Sequence, residues 1–187
     1  MENVISSQWQ ELTALPGPGR KDSVLVGQHI EEDGFVYLLG GQTENKYLTD
    51  AYRYNPHEQS WKSVAAMPRA ASSAPAIAAG QSHILLFSGS ANENEDFPQG
   101  ADQKMTFPAD VLSYHAIADT WASFGKVTHA VARTSAIEHD GQIIIPGGLI
   151  SPKKCTNTVQ NATFLSVARN FGFLDQLCLY TYLALLM

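Results

Sequence analysis

The chain is short of basic residues and has few cysteines. Its 187 residues include 12 Lys and Arg against 18 Asp and Glu, which gives a net charge of −6. Proteins that bind nucleic acid neutralise phosphates with Lys and Arg, so this balance argues against nucleic acid as a partner. The two cysteines, Cys155 and Cys178, are too few for a disulfide framework or a zinc site with four thiolates.

Motifs of metal and nucleotide sites are also missing. The six histidines are scattered and form no His-x-x-x-His or Cys/His cluster. The acidic stretch at 92–97 lacks the Asp-x-Asp-x-Asp-Gly spacing of a calcium loop, so we expect a solvated loop there. Glycine-rich nucleotide motifs and nucleophile elbows are absent. The residues therefore predict neither a metal nor a cofactor.

The chain shows no targeting or membrane-spanning pattern. Its first ten residues contain neither a basic nor an apolar segment, so no signal peptide is predicted. From Leu177 eleven residues are apolar except for Thr181, a run too short to span a bilayer. We expect no transmembrane span, and the residues alone leave the compartment open.

What the sequence does contain is a series of short strand patterns. Before residue 150 there is no amphipathic helix longer than two turns, and turn residues separate runs rich in Val, Ile, Leu, Phe and Tyr. The predicted strands are 23–30, 35–40, 50–55, 60–65, 73–79, 83–88, 110–115, 120–124, 134–139 and 142–145. This is an all-β pattern.

These strands form a repeat, and each complete copy has a glycine turn, an Asp-x-x-x-Tyr segment and a tryptophan. The copies are Gly40-Gly41, 50–54 and Trp61; Ser88-Gly89, 110–114 and Trp121; and a third that opens at Gly147-Gly148 and reaches neither Tyr nor Trp. Trp9 closes a copy whose start is missing. A period near fifty residues with this order is typical of a kelch β-propeller blade.

The repeat predicts an incomplete kelch β-propeller over residues 1–160, with two full four-stranded blades and part-blades on either side. A closed propeller generally needs at least four blades, so the length predicts part of a propeller. The three tryptophans are expected in the core between blades, where large aromatic side chains bury the most area.

At these residues the chain resembles kelch proteins. Within them it is most similar to the N-acetylneuraminate epimerases, the sialic-acid mutarotases, and their cyclically permuted relatives. The resemblance covers roughly residues 9–156 and rests on segments that include Val36-Tyr-Leu-Leu-Gly-Gly41, Asp50-Ala-Tyr-Arg-Tyr-Asn-Pro56 and Met67-Pro68. It implies a carbohydrate isomerase that interconverts sugar anomers without a cofactor, in a family often periplasmic or secreted.

The catalytic pair of that family does not carry over. Its last turn resembles Gly-Glu-x-x-Pro-Gly-x-Arg-Thr, with Glu and Arg as the pair. Here Gly148 stands at the Glu position and Cys155 near the Arg position, while Pro152 and Thr156 keep the frame. Glycine offers no proton donor or acceptor for acid–base chemistry. No catalytic residue is assigned, and we expect the chain to be inactive as it stands.

Candidate binding residues lie in the loops that enter the innermost strands and in those that follow the glycine turns. Three arginines precede inner strands and would suit a carboxylate, or they tie blades together through backbone carbonyls. Polar residues after the glycine turns would suit sugar hydroxyls. The predicted ligand-binding residues are Arg20, Arg69, Arg133, Gln42, Asn45 and Asn92.

The alternative function is a non-catalytic kelch module that binds a protein or a glycan. A copper enzyme resembling galactose oxidase is disfavoured, because its Tyr, Cys and His ligands cannot be placed. The predicted partners are an acidic sugar or a protein at the propeller face, together with further copies of the chain at open blade edges.

The apolar tail, 161–187, differs from the rest. Residues from Phe164 to Leu185 recur at helical spacing and predict a C-terminal helix. Three interpretations stay open: a helix packed on a propeller edge, a membrane-surface or targeting segment, or a terminus that is not native.

Overall fold

The computed structural model describes residues 9–92, 105–165 and 182–183, and every regular element within them is a β-strand. Three antiparallel sheets of four strands follow one another along the chain, each pairing its strands in sequence apart from one small insertion. This is the repeated-sheet architecture of a kelch propeller, as predicted. No helix in the described part of the chain is long and apolar enough to cross a bilayer.

The ten predicted strands are all present, with boundaries shifted by a few residues. The first sheet contains β1 (Val24–Ile30), β2 (Asp33–Leu39), β3 (Ala51–Asn55) and β4 (Ser60–Val64). The second contains β5 (Ala76–Ala79), β6 (His83–Phe87), β9 (Asp110–His115) and β10 (Thr120–Lys126), with the two-stranded insertion β7 (Ala91–Asn92) and β8 (Met105–Thr106) between β6 and β9. The third contains β11 (Ile137–His139), β12 (Gln142–Ser151), β13 (Lys154–Leu165) and β14 (Tyr182–Leu183).

Two apolar cores lie between successive sheets, because each strand sends alternate side chains to opposite faces. Strand β6 shows this most clearly, since its side chains are buried on both faces. Ile84 and Leu86 join the core shared with the first sheet, whereas Leu85 and Phe87 join the core shared with the third. The sheets are therefore stacked face to face, as in the blades of a propeller.

Two tryptophans repeat the same hydrogen bond to the chain segment that follows the preceding tryptophan. The Trp61 indole donates to the Thr13 carbonyl oxygen at 3.0 Å, and the Trp121 indole donates to that of Ala65 at 2.8 Å. Each acceptor lies four residues after the preceding tryptophan, which confirms Trp9 as part of the repeat. The prediction that all three tryptophans belong to the core is wrong for Trp9, whose side chain is fully exposed, and the other two are only partly buried.

The third sheet is more complete than the sequence predicted. Strand β13 pairs with β12 over most of its length, although it has none of the Asp-x-Tyr residues of the earlier repeats. Its register places Ala162 opposite Ile143, where Tyr54 lies opposite Val36 and Tyr114 opposite Ile84. The strand forms without the aromatic residue, and it contains four β-branched residues, which favour strands: Thr156, Thr158, Val159 and Thr163.

The predicted C-terminal helix falls mostly outside the described residues. Its described ends are strands, because Phe164 and Leu165 in β13 pair with Leu183 and Tyr182 in β14. The residues at those positions therefore do not form a helix, and pairing with a neighbouring strand determines their backbone conformation instead.

Candidate functional site

A groove of about 400 Å³ runs along the loops that enter the first strand of each sheet, β1, β5 and β11, which we call the inner strands. Each of the three sheets contributes the loop that enters its inner strand, and the first two sheets also contribute the start of that strand. The lining is mixed, with hydroxyl groups and one arginine beside small apolar side chains. The lining residues are Ser23, Val24, Leu25, Ser73, Ala74, Pro75, Ala76, Arg133, Thr134, Ser135 and Ala136.

Three residues at equivalent positions beside this groove have left-handed backbones. Asp22, Ser73 and Arg133 have φ of 57°, 51° and 55°, a conformation that residues other than glycine seldom adopt. A backbone relay supports it, because the Ser73 amide donates to the Asp22 carbonyl oxygen at 2.7 Å and the Arg133 amide to that of Ser73 at 2.9 Å. The relay fixes the three inner-strand loops relative to one another.

Arg20 is held in an ion pair with Asp50. Its guanidinium donates to both oxygens of the Asp50 carboxylate at 2.6 and 2.7 Å and lies over the Tyr52 ring at 5.3 Å, and its side chain is 3% exposed. Burial alone would raise the pKa of the Asp50 carboxyl, but hydrogen bonds from Arg20 and Tyr52 outweigh burial and lower that pKa. The donors of Arg20 are thus directed to the protein itself.

Arg69 makes the same contact in the second sheet. Its Nε donates to the Asp110 carboxylate at 2.9 and 3.0 Å, and its Nη2 donates to the Ser88 carbonyl oxygen at 2.8 Å. Arg20 likewise donates to the carbonyl oxygen of Gly40, the residue equivalent to Ser88. These two arginines connect the entering loop to the glycine turn and to the aspartate before the tyrosines.

Arg133 differs from the other two arginines. It occupies the position of Asp22 and Ser73, lines the groove, and is exposed. Over the described ranges its guanidinium has neither an ion pair nor a hydrogen bond. His129 stands where Arg69 stands in the second sheet, and its backbone binds the Gln160 side chain at 2.8 and 3.1 Å. The structure therefore separates one groove arginine from two that brace loops.

The predicted polar residues are divided between two environments. Gln42 is buried and donates its side-chain amide to the Asp22 carboxylate at 2.7 Å, so it orients Asp22. Asn45 is exposed, and its backbone amide donates to the Thr43 hydroxyl at 3.3 Å. Asn92 lies in β7, and its side chain is outside the described part.

Sequence reasoning missed Asp22 and Tyr47 beside this loop cluster. Burial raises the pKa of the Tyr47 hydroxyl; a hydrogen bond with Ser90 and the charge of Arg133 act in the opposite direction, while the charge of Asp22 acts with burial. No local signal marked these two residues, because Tyr47 falls outside the Asp-x-Tyr motif and Asp22 follows an ordinary Arg-Lys pair. They are close to the groove only because adjacent sheets meet there.

The third glycine turn supplies no acid–base group. Gly148 is equivalent to Gly41 and Gly89 and has φ of 109°. A Cβ added at this position would lie only 3.0 Å from the Ala132 carbonyl oxygen. The next residue, Leu149, is buried at the position of Gln42. Gly148 is thus required by the turn, and neither position provides a carboxylate. Cys155 is exposed and pairs with Leu149 in the strand register.

Comparisons with known proteins point to one architecture. A family model described as Kelch motif matches residues 33–68. The N-acetylneuraminate epimerase of Haemophilus influenzae (strain PittEE) is 25% identical, with 79% of this chain and 46% of the relative covered. The Kelch-like protein terF of Aspergillus terreus is 26% identical, with 90% of this chain and 33% of the relative covered. The solved structure of YjhT superposes with a TM-score of 0.69 at 19% identity, covering 83% of this chain and 53% of that one.

The chain spans about half the length, or less, of the curated relatives it matches. Its repeats, its sheets and these similarities agree on a kelch propeller resembling the N-acetylneuraminate epimerases. The similarity to YjhT concerns the fold.

Proposed function

Starting from a kelch propeller that resembles the N-acetylneuraminate epimerases, we propose that this chain binds an acidic sugar in its groove and does not catalyse anomer interconversion. The single observation that carries the binding is Arg133, a groove arginine without a carboxylate partner in the described residues. A guanidinium offers a planar set of donors that matches a carboxylate, and the nearby hydroxyls of Ser73 and Ser135 suit sugar oxygens.

The lack of catalysis is proposed from the third glycine turn. Acid–base catalysis needs a positioned donor or acceptor within hydrogen-bond reach of the sugar. Gly148 has no side chain, and the side chain of Leu149 is apolar and buried. Anomer interconversion requires proton transfer at the ring oxygen and the anomeric hydroxyl, and this turn supplies no group for either.

Titration calorimetry of the 187-residue chain with N-acetylneuraminate tests the binding. We expect Arg133→Gln to weaken binding about tenfold or more, because a hydrogen bond to a charged group contributes about 1.5–3 kcal/mol. Lys62→Gln is the matched control, since it removes the same charge from an exposed position on the outer strand β4. Equal loss in both variants would show that only net charge matters, and unchanged affinity in Arg133→Gln would refute the site.

Exchange spectroscopy by NMR tests the second half of the proposal. We expect the anomers of N-acetylneuraminate to interconvert in the presence of the chain at the rate in buffer. An acceleration that Arg133→Gln or Arg69→Gln abolishes would instead show that the chain catalyses the reaction with other groups.

The second candidate is a non-catalytic module that binds protein. It is favoured by the apolar part of the groove, where Leu25 is 66% exposed beside Pro75 and Ala76. An apolar wall of this kind suits aliphatic or aromatic side chains of a partner better than a sugar carboxylate. Binding of the sugar that depends on Arg133 would favour the first candidate over this one.

Self-association is the last part of the proposal. Trp9 is fully exposed and Leu12 is 52% exposed in the segment that reaches the outer strand β4 through Thr13. Exposed apolar side chains beside a sheet edge favour contact with another copy of the chain.

A further inference from the structure

Two histidines face each other across strands of the second sheet. His83 begins β6 and His115 ends β9; they are register partners with ring centroids 4.5 Å apart. The corresponding positions in the first sheet hold Phe35 and Asn55, because the neighbouring pair Val36–Tyr54 matches Ile84–Tyr114. The first sheet is therefore a copy of this arrangement without a titratable group.

His115 caps the turn that follows it. Its Nδ1 accepts a hydrogen bond from the Ala118 amide at 3.0 Å, which requires that this nitrogen carry no proton. In the first sheet the Asn55 Oδ1 makes the same kind of cap, accepting from the His57 amide at 2.9 Å and the Glu58 amide at 3.2 Å. An asparagine amide does not titrate, whereas an imidazole takes up a proton.

The capped turn, residues 116–119, holds a contact between sheets. The Asp119 carboxylate accepts from the Ala65 amide of the preceding sheet at 2.7 Å and from the Tyr114 hydroxyl at 2.7 Å. The Trp121 indole binds the carbonyl oxygen of the same Ala65 at 2.8 Å. The backbone of Ala65 is thus fixed to the second sheet from both its donor and its acceptor.

Few charges surround the pair. Burial lowers the pKa of His83, and the charge of His115 lowers it further. From the first sheet, β1 contributes the uncharged amide of Gln28, which donates to the His83 carbonyl oxygen at 2.6 Å, followed by His29. The carboxylate of Asp119 is already bound as described, and the rest of the turn is apolar.

We propose that protonation of His83 and His115 loosens the 116–119 turn and weakens the contact between the first and second sheets as the pH falls. A protonated His115 loses its acceptor for the Ala118 amide, and two imidazolium rings at this separation repel each other. The folded state favours the neutral form of His83, so the unfolded state binds more protons and stability falls as the pH drops below about 6.5.

Amide hydrogen exchange at pH 7.5 and 5.5, corrected for intrinsic rates, tests the proposal on the 187-residue chain. We expect the protection of the Ala65 and Ala118 amides to fall by about three- to tenfold in the wild type, the range of one net hydrogen bond. In His115→Asn, which copies Asn55, the protection of the Ala118 amide is expected to stay constant, and that of the Ala65 amide to fall less than in the wild type, because His83 is still present. The Glu58 amide is the internal control, because its acceptor does not titrate.

A second variant keeps the test decisive if His115→Asn does not fold. In His83→Phe, which copies Phe35, the partner charge is removed, so we expect the fall in Ala65 protection to begin at a higher pH than in the wild type. Protection that does not change with pH in the wild type, or falls equally in His115→Asn, would overturn the proposal. An unchanged midpoint in His83→Phe would show that the two rings are not coupled.

Discussion

The hydroxyl of Tyr114 provides a direct test of how much the Asp119 contact contributes to the second sheet. Tyr114 is buried, and its hydroxyl donates to Asp119 at 2.7 Å. Burial, followed by this hydrogen bond to the carboxylate, raises the pKa of Tyr114 far above its usual range, so the hydroxyl remains a donor at every working pH. Tyr114→Phe deletes this donor and retains the ring contacts with Tyr37 and Trp121.

The expected cost follows from the charge and exposure of the acceptor. A hydrogen bond to a charged group contributes about 1.5–3 kcal/mol, and water can reach Asp119, which is exposed, so we expect the lower part of that range. The free energy of unfolding of Tyr114→Phe should therefore be lower by about 1.5–2 kcal/mol. Urea denaturation followed by tryptophan fluorescence measures this difference from the transition midpoints.

Tyr54→Phe is the matched control from the first sheet. The Tyr54 ring packs against Trp61 with centroids 4.9 Å apart, as the Tyr114 ring packs against Trp121, but the Tyr54 hydroxyl makes no hydrogen bond within the described ranges. We expect Tyr54→Phe to change stability by less than about 0.5 kcal/mol. Equal losses in the two variants would refute the assignment of the effect to the Asp119 hydrogen bond.

Two further predictions concern the third glycine turn and association. Gly148→Ala should lower the free energy of unfolding by about 1–3 kcal/mol, because a Cβ at φ 109° would lie 3.0 Å from a carbonyl oxygen. Gly19→Ala is the control, because a Cβ there would meet nothing within 4 Å, and it should leave stability nearly unchanged in the same melts. An unchanged stability in Gly148→Ala would contradict the requirement for glycine at this turn. In sedimentation velocity the chain should form oligomers that dissociate in Trp9→Ser, and a wild-type monomer at every concentration would contradict self-association.

The fold was predictable because its signals are local. A glycine turn, a tyrosine and a tryptophan recur in one order, and each defines a turn or a contact between neighbouring strands. The third sheet was predicted only in part because β13 has Ala162 at the tyrosine position, so no aromatic residue marked it. In the tail, the helical spacing of apolar residues predicts a helix at Phe164, but strand pairing determines the backbone conformation there.

The site was less predictable, because its contacts join residues that are distant in the sequence. Arg20 and Asp50 are 30 residues apart and Arg69 and Asp110 are 41 apart, so their pairing could not be read from spacing. One signal was available, however. Each paired arginine has an Asp at the start of a tyrosine segment in its own repeat, and the third repeat, which contains Arg133, lacks that aspartate.

The backbone relay through Asp22, Ser73 and Arg133 has a consequence for how this groove can change over time. The loops are positioned by amide and carbonyl groups, which every residue except proline provides in full, so the relay itself does not depend on which side chains stand at these three positions. An acid, an alcohol and a base occupy them. The chemistry at this groove can therefore change one repeat at a time, by substitutions that a left-handed backbone accepts.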